Sequence, residues 1–253
     1  MPIVYAIEHH HQLLDIWKER SLRQLNVAHV DFHCDMRGLF IDRRTDTAAW
    51  IHGADSTVDE GNFLAHAVMN GQVSQLIWVH DIPGGRAYDV GGVMFETDLG
   101  RWLPWNRVAT RLAKPTKLNS FQTTPIRRWA GPSRSQWLDI DWDTFAGHDL
   151  LADSINTRTE YFLSKLKKSR FPRENVSVCY SPGFSHDSRK QYERFIESIA
   201  KLLDADVEQI PFVETTPPPN NSIKRILPRQ MKLVVRRSYI GIQRKLRQVG
   251  VYL

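Results

Sequence analysis

The sequence has few cysteines and no long hydrophobic run, and both absences limit what the protein can be. Its 253 residues include only Cys34 and Cys179, too few for a disulfide framework, which favours a reducing compartment. No apolar stretch approaches the roughly 20 residues that a membrane-spanning helix needs. The first residues lack a basic segment followed by a small-residue cleavage site, so we expect no signal peptide. We therefore predict a cytoplasmic protein without a membrane partner.

Acidic residues are absent from the last part of the chain, where the positive charge concentrates. Residues 215–253 hold nine of the 34 Lys and Arg residues and none of the 28 Asp and Glu residues. The net charge of +6 belongs to this segment, so we do not expect the main domain to bind nucleic acid. We predict a domain over 1–214, followed by a Pro-rich linker and basic extension over 215–253. The extension suits a helix docked on the domain or on another subunit of a homo-oligomer, a site for an acidic peptide segment, or a contact with nucleic acid or an anionic membrane surface.

Strand-like and helix-like segments alternate along the first 214 residues. Short runs rich in β-branched and aromatic residues predict strands, and longer amphipathic runs predict helices. The predicted strands are Ile3–Ile7, Asn26–Phe32, Ser74–His80, Gln136–Trp142 and Val176–Ser181, and the predicted helices are Gln12–Leu25, Gly61–Gly71, Ile155–Lys168 and Asp187–Leu203. This alternation predicts an α/β fold with a mostly parallel sheet and helices on both faces. The Gly- and Pro-punctuated segment 83–137 predicts an irregular insertion near the site, outside the main sheet.

Side chains that can bind metal ions gather in three short motifs. They are His10 within Glu8-His9-His10-His11, the run Asp31-Phe32-His33-Cys34-Asp35, and Asp139-Ile140-Asp141. Alternate side chains of a strand share a face, so the Asp and His residues within each of the last two motifs would point the same way. Such carboxylates repel one another unless cations lie between them, and an oxygen-rich ligand set favours Mn²⁺. His10 follows the first predicted strand, and the other two motifs lie at the ends of later strands. Strand carboxyl ends form the ligand-binding edge of an open α/β sheet.

The motifs and their order resemble the metal signature of arginases and agmatinases, the ureohydrolases. The resemblance implies a doubly wound α/β fold with two Mn²⁺ ions and a hydroxide between them that attacks the guanidinium carbon. One ion would be held by His10, Asp31, Asp35 and Asp139, and the other by Asp31, His33, Asp139 and Asp141. Asp35 would accept the proton of the hydroxide, and a histidine would protonate the leaving amine. We predict His66 for that histidine, with His52 and His80 as alternatives.

Other motifs are similar to an atypical branch of this superfamily that includes peptide arginases, which convert arginine to ornithine within ribosomally made precursor peptides. They are Glu8-His9-His10, Gly61-Asn62-Phe63 and Ser181-Pro182-Gly183-Phe184. The sequence also lacks a match to the loop residues with which arginases hold free arginine. We therefore predict a precursor-peptide substrate, bound by Asn62 and by Glu8 or Glu60, with an acidic leader on the basic extension.

Several alternatives stay open at this level. The same chemistry could act on free arginine or agmatine, a Zn²⁺-dependent deacetylase-like enzyme would need one ion, and a non-catalytic binding module with a basic tail would need none. His9 or His11 could replace His10 as a ligand. We interpret Cys34 as a core thiol and Asp143 as a helix cap or a support for the ligands. Trp78 and Trp142 are the tryptophans that we expect to contact substrate.

Overall fold

A parallel sheet organises the part of the chain that the computed structural model describes, which is residues 2–50, 57–80, 94–95, 115–133, 135–147, 150–169, 176–186 and 188–211. The strands are β1 (Ile3–Ile7), β2 (Leu25–Val30), β3 (Leu39–Asp42), β4 (Thr47–Trp50), β5 (Val73–His80), β6 (Met94–Phe95), β7 (Thr116–Lys117), β8 (Ser120–Pro125), β9 (Gln136–Asp141), β10 (Val176–Cys179) and β11 (Asp206–Gln209). The main sheet has seven parallel strands in the order β11-β1-β10-β9-β2-β5-β8. A smaller sheet has the order β6-β3-β4-β7.

Helices cover both faces of the main sheet. They are α1 (Gln12–Glu19), α2 (Phe63–Met69), α3 (Asp143–Ala146), α4 (Ile155–Lys168) and α5 (Arg189–Leu203). Trp17 of α1 and Phe63 of α2 belong to one buried apolar cluster, whereas Phe162 of α4 and Phe195 of α5 belong to the other. Since alternate residues of each strand feed the two clusters, the predicted α/β fold with a mostly parallel, doubly covered sheet is confirmed.

Several predicted element bounds shift by a few residues. Helix α1 ends at Glu19 rather than Leu25, because Ser21 and Gln24 adopt positive φ angles of 54° and 56°. Strand β2 ends at Val30, two residues before the predicted end at Phe32. The prediction for α4 matches its observed bounds. The short apolar pattern of a strand does not mark where its hydrogen bonding stops, which explains why β2 was overextended.

The segment 83–137 contributes to the main sheet, contrary to our expectation. Its described part includes β8, which pairs in parallel with β5 and forms one edge of the sheet. Gln122 and Thr123 are exposed on this edge strand, so the strand lacks the apolar pattern that identified its neighbours. Met94–Phe95 pairs in parallel with β3, and residues 83–93 and 96–114 lie outside the described residues.

The order in which the chain adds strands to the main sheet switches sides between β2 and β9. The next strand of this sheet after β2 is β5, on one side, whereas the next after β9 is β10, on the other side. Such a switch point leaves a crevice at the carboxyl ends of the two strands, the usual ligand site in open α/β sheets. Contacts divide the chain into Met1–Phe212 and Val213–Leu253, and the second unit lies outside the described residues. Within the described ranges, no helix combines the length and the apolar character that crossing a bilayer requires.

Candidate metal centre

The carboxyl ends of three strands of the main sheet, β1, β9 and β2, bring the predicted metal ligands together. His10 follows β1, Asp31 and Asp35 follow β2, and Asp141 ends β9. The first group centres on His10, whose Nδ1 lies 3.1 Å from Asp35 Oδ2, 3.4 Å from Asp141 Oδ2 and 3.9 Å from Asp31 Oδ2. The ring of Phe63, at the start of α2, stacks on His10 at 5.0 Å and covers the group. Among the three adjacent histidines, His10 is therefore the one that lies among the carboxylates.

A second group forms on the other side of Asp31. His33 Nδ1 lies 3.0 Å from Asp143 Oδ2 and 3.9 Å from Asp31 Oδ1. Asp31 thus turns one carboxylate oxygen to each group. Strand alternation predicted that His33 and Asp35 share one face of a strand. That prediction does not hold, because β2 ends at Val30 and Asp35 has a φ of 50°.

His29, which we did not predict as a site residue, lies fully buried beneath both groups. Its Nδ1 lies 2.8 Å from Asp139 Oδ2, and its Nε2 lies 3.0 Å from Asp31 Oδ2. The other oxygen of Asp139 accepts a hydrogen bond from the Ser177 hydroxyl at 2.6 Å. The alternation argument could have found His29, since it precedes Asp31 by two residues within a predicted strand.

Two serines of the centre were not predicted as site residues, although Ser181 begins the Ser181-Pro182-Gly183-Phe184 motif. Parallel pairing of β10 with β9 places Ser177 opposite Asp139, and Ser181, just beyond β10, donates a 2.8 Å hydrogen bond to Asp141 Oδ2. The thiol of Cys179 lies 3.3 Å from the Ser181 hydroxyl, and burial raises its pKa well above the usual range. Cys34 is buried in the apolar core, in agreement with its interpretation as a core thiol.

The donor atoms of the centre fit bound cations. His10 Nε2, Asp31 Oδ2 and Asp143 Oδ1 are buried and have no hydrogen-bond partner, a state that costs about 1–3 kcal/mol per atom unless something binds there. Oxygen and nitrogen atoms within about 2.0–2.2 Å of one ion lie roughly 3–4 Å apart, as the atoms of these groups do. Carboxylates and imidazoles together suit Mn²⁺, Fe²⁺ and Zn²⁺. The buried centre can therefore bind metal ions.

Protons occupy the centre at neutral pH when metal ions do not. Burial alone lowers the pKa of His29, but the hydrogen bond to Asp139 and the negative charge of the nearby Asp31 raise it to about 10. Burial also lowers the pKa of His33, but the hydrogen bond to Asp143 and the charge of Asp31 outweigh this effect and raise the pKa to about 10. Burial and the charge of Asp31 raise the pKa of Asp143 to about 6.

These pKa values predict how the stability of the metal-free protein depends on pH. The pKa values of His29 and His33 are higher in the folded state than the ordinary value of about 6.5, so the folded state binds more protons between about pH 6.5 and 10. The free energy of unfolding should therefore be highest at the acid end of this window and fall as the pH rises through it. Denaturant unfolding in the presence of a chelator, measured from pH 6.5 to 10, checks this.

The metal-loaded protein serves as the control for that measurement. Metal ions bind deprotonated histidines, so loading should weaken or reverse the fall of stability with pH. A metal-free protein whose free energy of unfolding rises from pH 7 to pH 9.5 would contradict the proposed proton binding.

A cavity of about 620 Å³ opens above the two groups. Its lining consists of His9, His10, His11, His33, Asp35, Arg37, Val58, Asp59, Glu60, Gly61, Asp141, Asp143, Ser181 and Phe184. The described lining is rich in carboxylates, although Asp59 is paired with Arg37 and Glu60 with His9. Phe184 leaves 46% of its surface exposed. The cavity thus combines an acidic floor with an apolar side chain on its wall.

Three other predicted site residues, Glu8, Asn62 and His66, lie outside the described lining of the cavity. Glu8 forms two hydrogen bonds with the Arg189 guanidinium, at 2.6 and 2.8 Å. Asn62 is buried and bonds the backbone of the loop that walls the cavity, accepting from the Asp59 N–H and donating to the Thr57 carbonyl. His66 packs against the Trp50 ring at 4.8 Å. None of Glu8, Asn62 and His66 is among the described residues that line the cavity.

Both tryptophans that we expected to contact substrate are fully buried, so that expectation is wrong. Trp78 donates a hydrogen bond to the Asp31 carbonyl, at 2.9 Å, and so helps to hold the loop after β2. Trp142 packs between Phe145 and Phe195 in the apolar cluster on the opposite face. His80 ends β5 and packs against Trp78 at 4.9 Å, and His52 lies outside the described residues.

Comparisons with known proteins add little to this geometry. No family model matches the chain, and no curated protein matches it. Among solved structures, the chain is similar to a hypothetical agmatinase from Burkholderia thailandensis, with 12% sequence identity and a TM-score of 0.43. The match covers 80% of this chain, and the chain spans 59% of that protein's length.

Proposed function

We propose that this protein is a manganese-dependent hydrolase that converts arginine side chains of a peptide to ornithine and releases urea. The observation that carries the proposal is the convergence of buried imidazoles and carboxylates at the switch point of the sheet, beneath an acidic cavity. All six residues that the ureohydrolase resemblance assigns to metal lie together there: His10, Asp31, His33, Asp35, Asp139 and Asp141. Their oxygen-rich donor set supports manganese.

The charge of the cavity supports a cationic substrate. Asp35, Asp141 and Asp143 line its floor, and Glu60 lies on its wall. A guanidinium is planar, carries five N–H donors and stays protonated at physiological pH, so carboxylates are its natural partners. An arginine side chain entering the cavity would present its guanidinium carbon to the centre while its methylenes pass Phe184.

The residues of the chain divide the chemistry of hydrolysis among them. Bound manganese would supply the Lewis acidity that makes water nucleophilic at neutral pH. Asp35 lines the cavity and lies 3.1 Å from His10, so it is placed to accept a proton from the attacking water. The sequence-based prediction for the residue that protonates the leaving amine is His66. His9 and His11 line the cavity and are better placed than His66 for that role.

An open wall supports a peptide over a free amino acid. The exposed side chains of Phe184 and Val58 give the cavity apolar contacts for residues that flank an arginine. In addition, residues 215–253 carry nine positive charges and no negative one, which suits an acidic leader segment of a precursor peptide. Both features would favour binding of a peptide over binding of free arginine.

Mass spectrometry of an arginine-containing peptide tests the proposal. After incubation with protein and Mn²⁺, we expect arginine to be converted to ornithine and an equal amount of urea to be released. A matched peptide with lysine in place of arginine should remain unchanged. Conversion of free arginine or agmatine in preference to the peptide would overturn the peptide assignment, and deacetylation of an acetyl-lysine peptide would replace the proposed chemistry altogether.

A further inference from the structure

Asp139 and Asp143 differ in what surrounds their carboxylates. Asp139 is 0% exposed, and protein donors engage both of its oxygens: the Ser177 hydroxyl at 2.6 Å and His29 Nδ1 at 2.8 Å. Asp143 is 2% exposed, and one oxygen lies 3.0 Å from His33 Nδ1 while the other has no hydrogen-bond partner. A carboxylate oxygen can accept more than one partner, and Asp139 Oδ2 also lies 3.5 Å from His10 Nε2. A buried oxygen with no partner, such as that of Asp143, nevertheless gains most from binding an ion.

The strand register explains why Asp139 lies deeper than its neighbours. Asp139 pairs with His29 of β2 on one side and with Ser177 of β10 on the other. Asp141 lies beyond the end of β2 and pairs only with Cys179 of β10. Asp139 is therefore enclosed by the sheet, while Asp141 and Asp143 line the cavity.

His29 has the geometry of a metal-binding histidine held by a carboxylate. Because a carboxylate only accepts hydrogen bonds, His29 Nδ1 carries the proton that faces Asp139, which leaves a lone pair on Nε2 in the neutral ring. That Nε2 is buried, has no hydrogen-bond partner, and lies 3.0 Å from Asp31 Oδ2 and 3.7 Å from Asp35 Oδ2. Metal-binding histidines commonly donate their other ring N–H to a carboxylate in this way.

We infer that Asp139 is a positioning residue that orients His29, and that His29 and Asp143 are the metal ligands in its stead. One ion would be held by His10, His29, Asp31 and Asp35, and the other by Asp31, His33 and Asp143, with Asp141 beside both groups. This assignment rests on the proposed metal-dependent function, and it differs from the carried-over assignment, in which Asp139 joins both ions.

Three single substitutions separate the two assignments by metal content. In His29→Asn the amide nitrogen can still donate to Asp139, but no atom reaches the Nε2 position, so at most one Mn²⁺ per chain should remain. Asp143→Asn should also retain at most one. Asp139→Asn keeps an oxygen that can accept from His29, so it should retain two ions with a dissociation constant raised about 10–100-fold.

Elemental analysis after gel filtration gives the stoichiometry, calorimetry gives the affinities, and circular dichroism establishes that each variant is folded. His186→Asn, in a loop where the imidazole Nε2 lies 2.9 Å from the Leu150 carbonyl, is the matched control and should keep two ions. Loss of either ion from folded Asp139→Asn, or two ions in folded His29→Asn or Asp143→Asn, would overturn the inference. Wild-type protein that binds no Mn²⁺ would overturn the proposed function instead, which keeps the two failures distinct.

X-ray absorption of the manganese-loaded wild-type protein provides a measurement that needs no variant. With His29 as a ligand, the spectrum should contain three imidazoles, from His10, His29 and His33, for every two ions. Two imidazoles for two ions would exclude His29 and favour Asp139.

Discussion

Replacing Asp31 with Asn should remove both metal ions and reduce hydrolysis by roughly 10³-fold or more, since metal activation of water supplies several kcal/mol. Asp31 is the carboxylate that the two groups share: one of its oxygens lies near His10 and His29, and the other near His33. An amide carries no charge and offers a single oxygen, so it cannot serve both groups. Metal content, together with urea release from an arginine peptide, measures the effect.

The matched control for this substitution is Asp15→Asn, which removes a carboxylate from the exposed surface of α1. It should leave metal content and turnover close to those of the wild type. In the Asp31→Asn variant, the amide oxygen can still accept the hydrogen bond that the His33 backbone N–H donates to Asp31 at 2.8 Å, so the loop after β2 should stay folded. Two ions bound by a folded Asp31→Asn variant would show that Asp31 does not join the two groups.

Manganese should raise the thermal unfolding temperature of this protein by about 10–20 °C, the second large effect that we expect. Each ion present at 100 times its dissociation constant stabilises the folded state by about 2.7 kcal/mol. For a domain of this size, 1 kcal/mol corresponds to roughly 2–4 °C. Two ions therefore account for the predicted shift, because the unfolded chain does not gather the ligands.

A chelator should reverse the stabilisation, and the Asp31→Asn variant should show little of it. Titrating manganese while following the unfolding temperature tests both statements, and the dependence on concentration separates specific binding from a general salt effect. A change of less than 2 °C at saturating manganese would contradict a centre that holds two ions, and would favour the binding-module alternative in which no ion is needed.

Much of the fold was readable from local patterns. The observed bounds of β1 and α4 match the predictions, and the metal-binding motifs lie at the carboxyl ends of β1, β2 and β9, as expected. These features depend on the alternation of apolar residues within a few positions, which is visible along the chain. Strand β8 was missed because an edge strand exposes polar residues and has a weaker apolar pattern.

Some residues of the centre could likewise be placed from the sequence, and others could not. That His10, Asp31, Asp35 and Asp141 would meet followed from their places after parallel strands. The partners of those residues did not follow, because they depend on which strand lies beside which and on where hydrogen bonding ends. Pairing of β9 with both β2 and β10 encloses Asp139 between His29 and Ser177, and the end of β2 at Val30 turns His33 towards Asp143. Contacts between residues 110 positions apart leave no periodic trace in the sequence, so the roles of these side chains emerge only when the chain is folded.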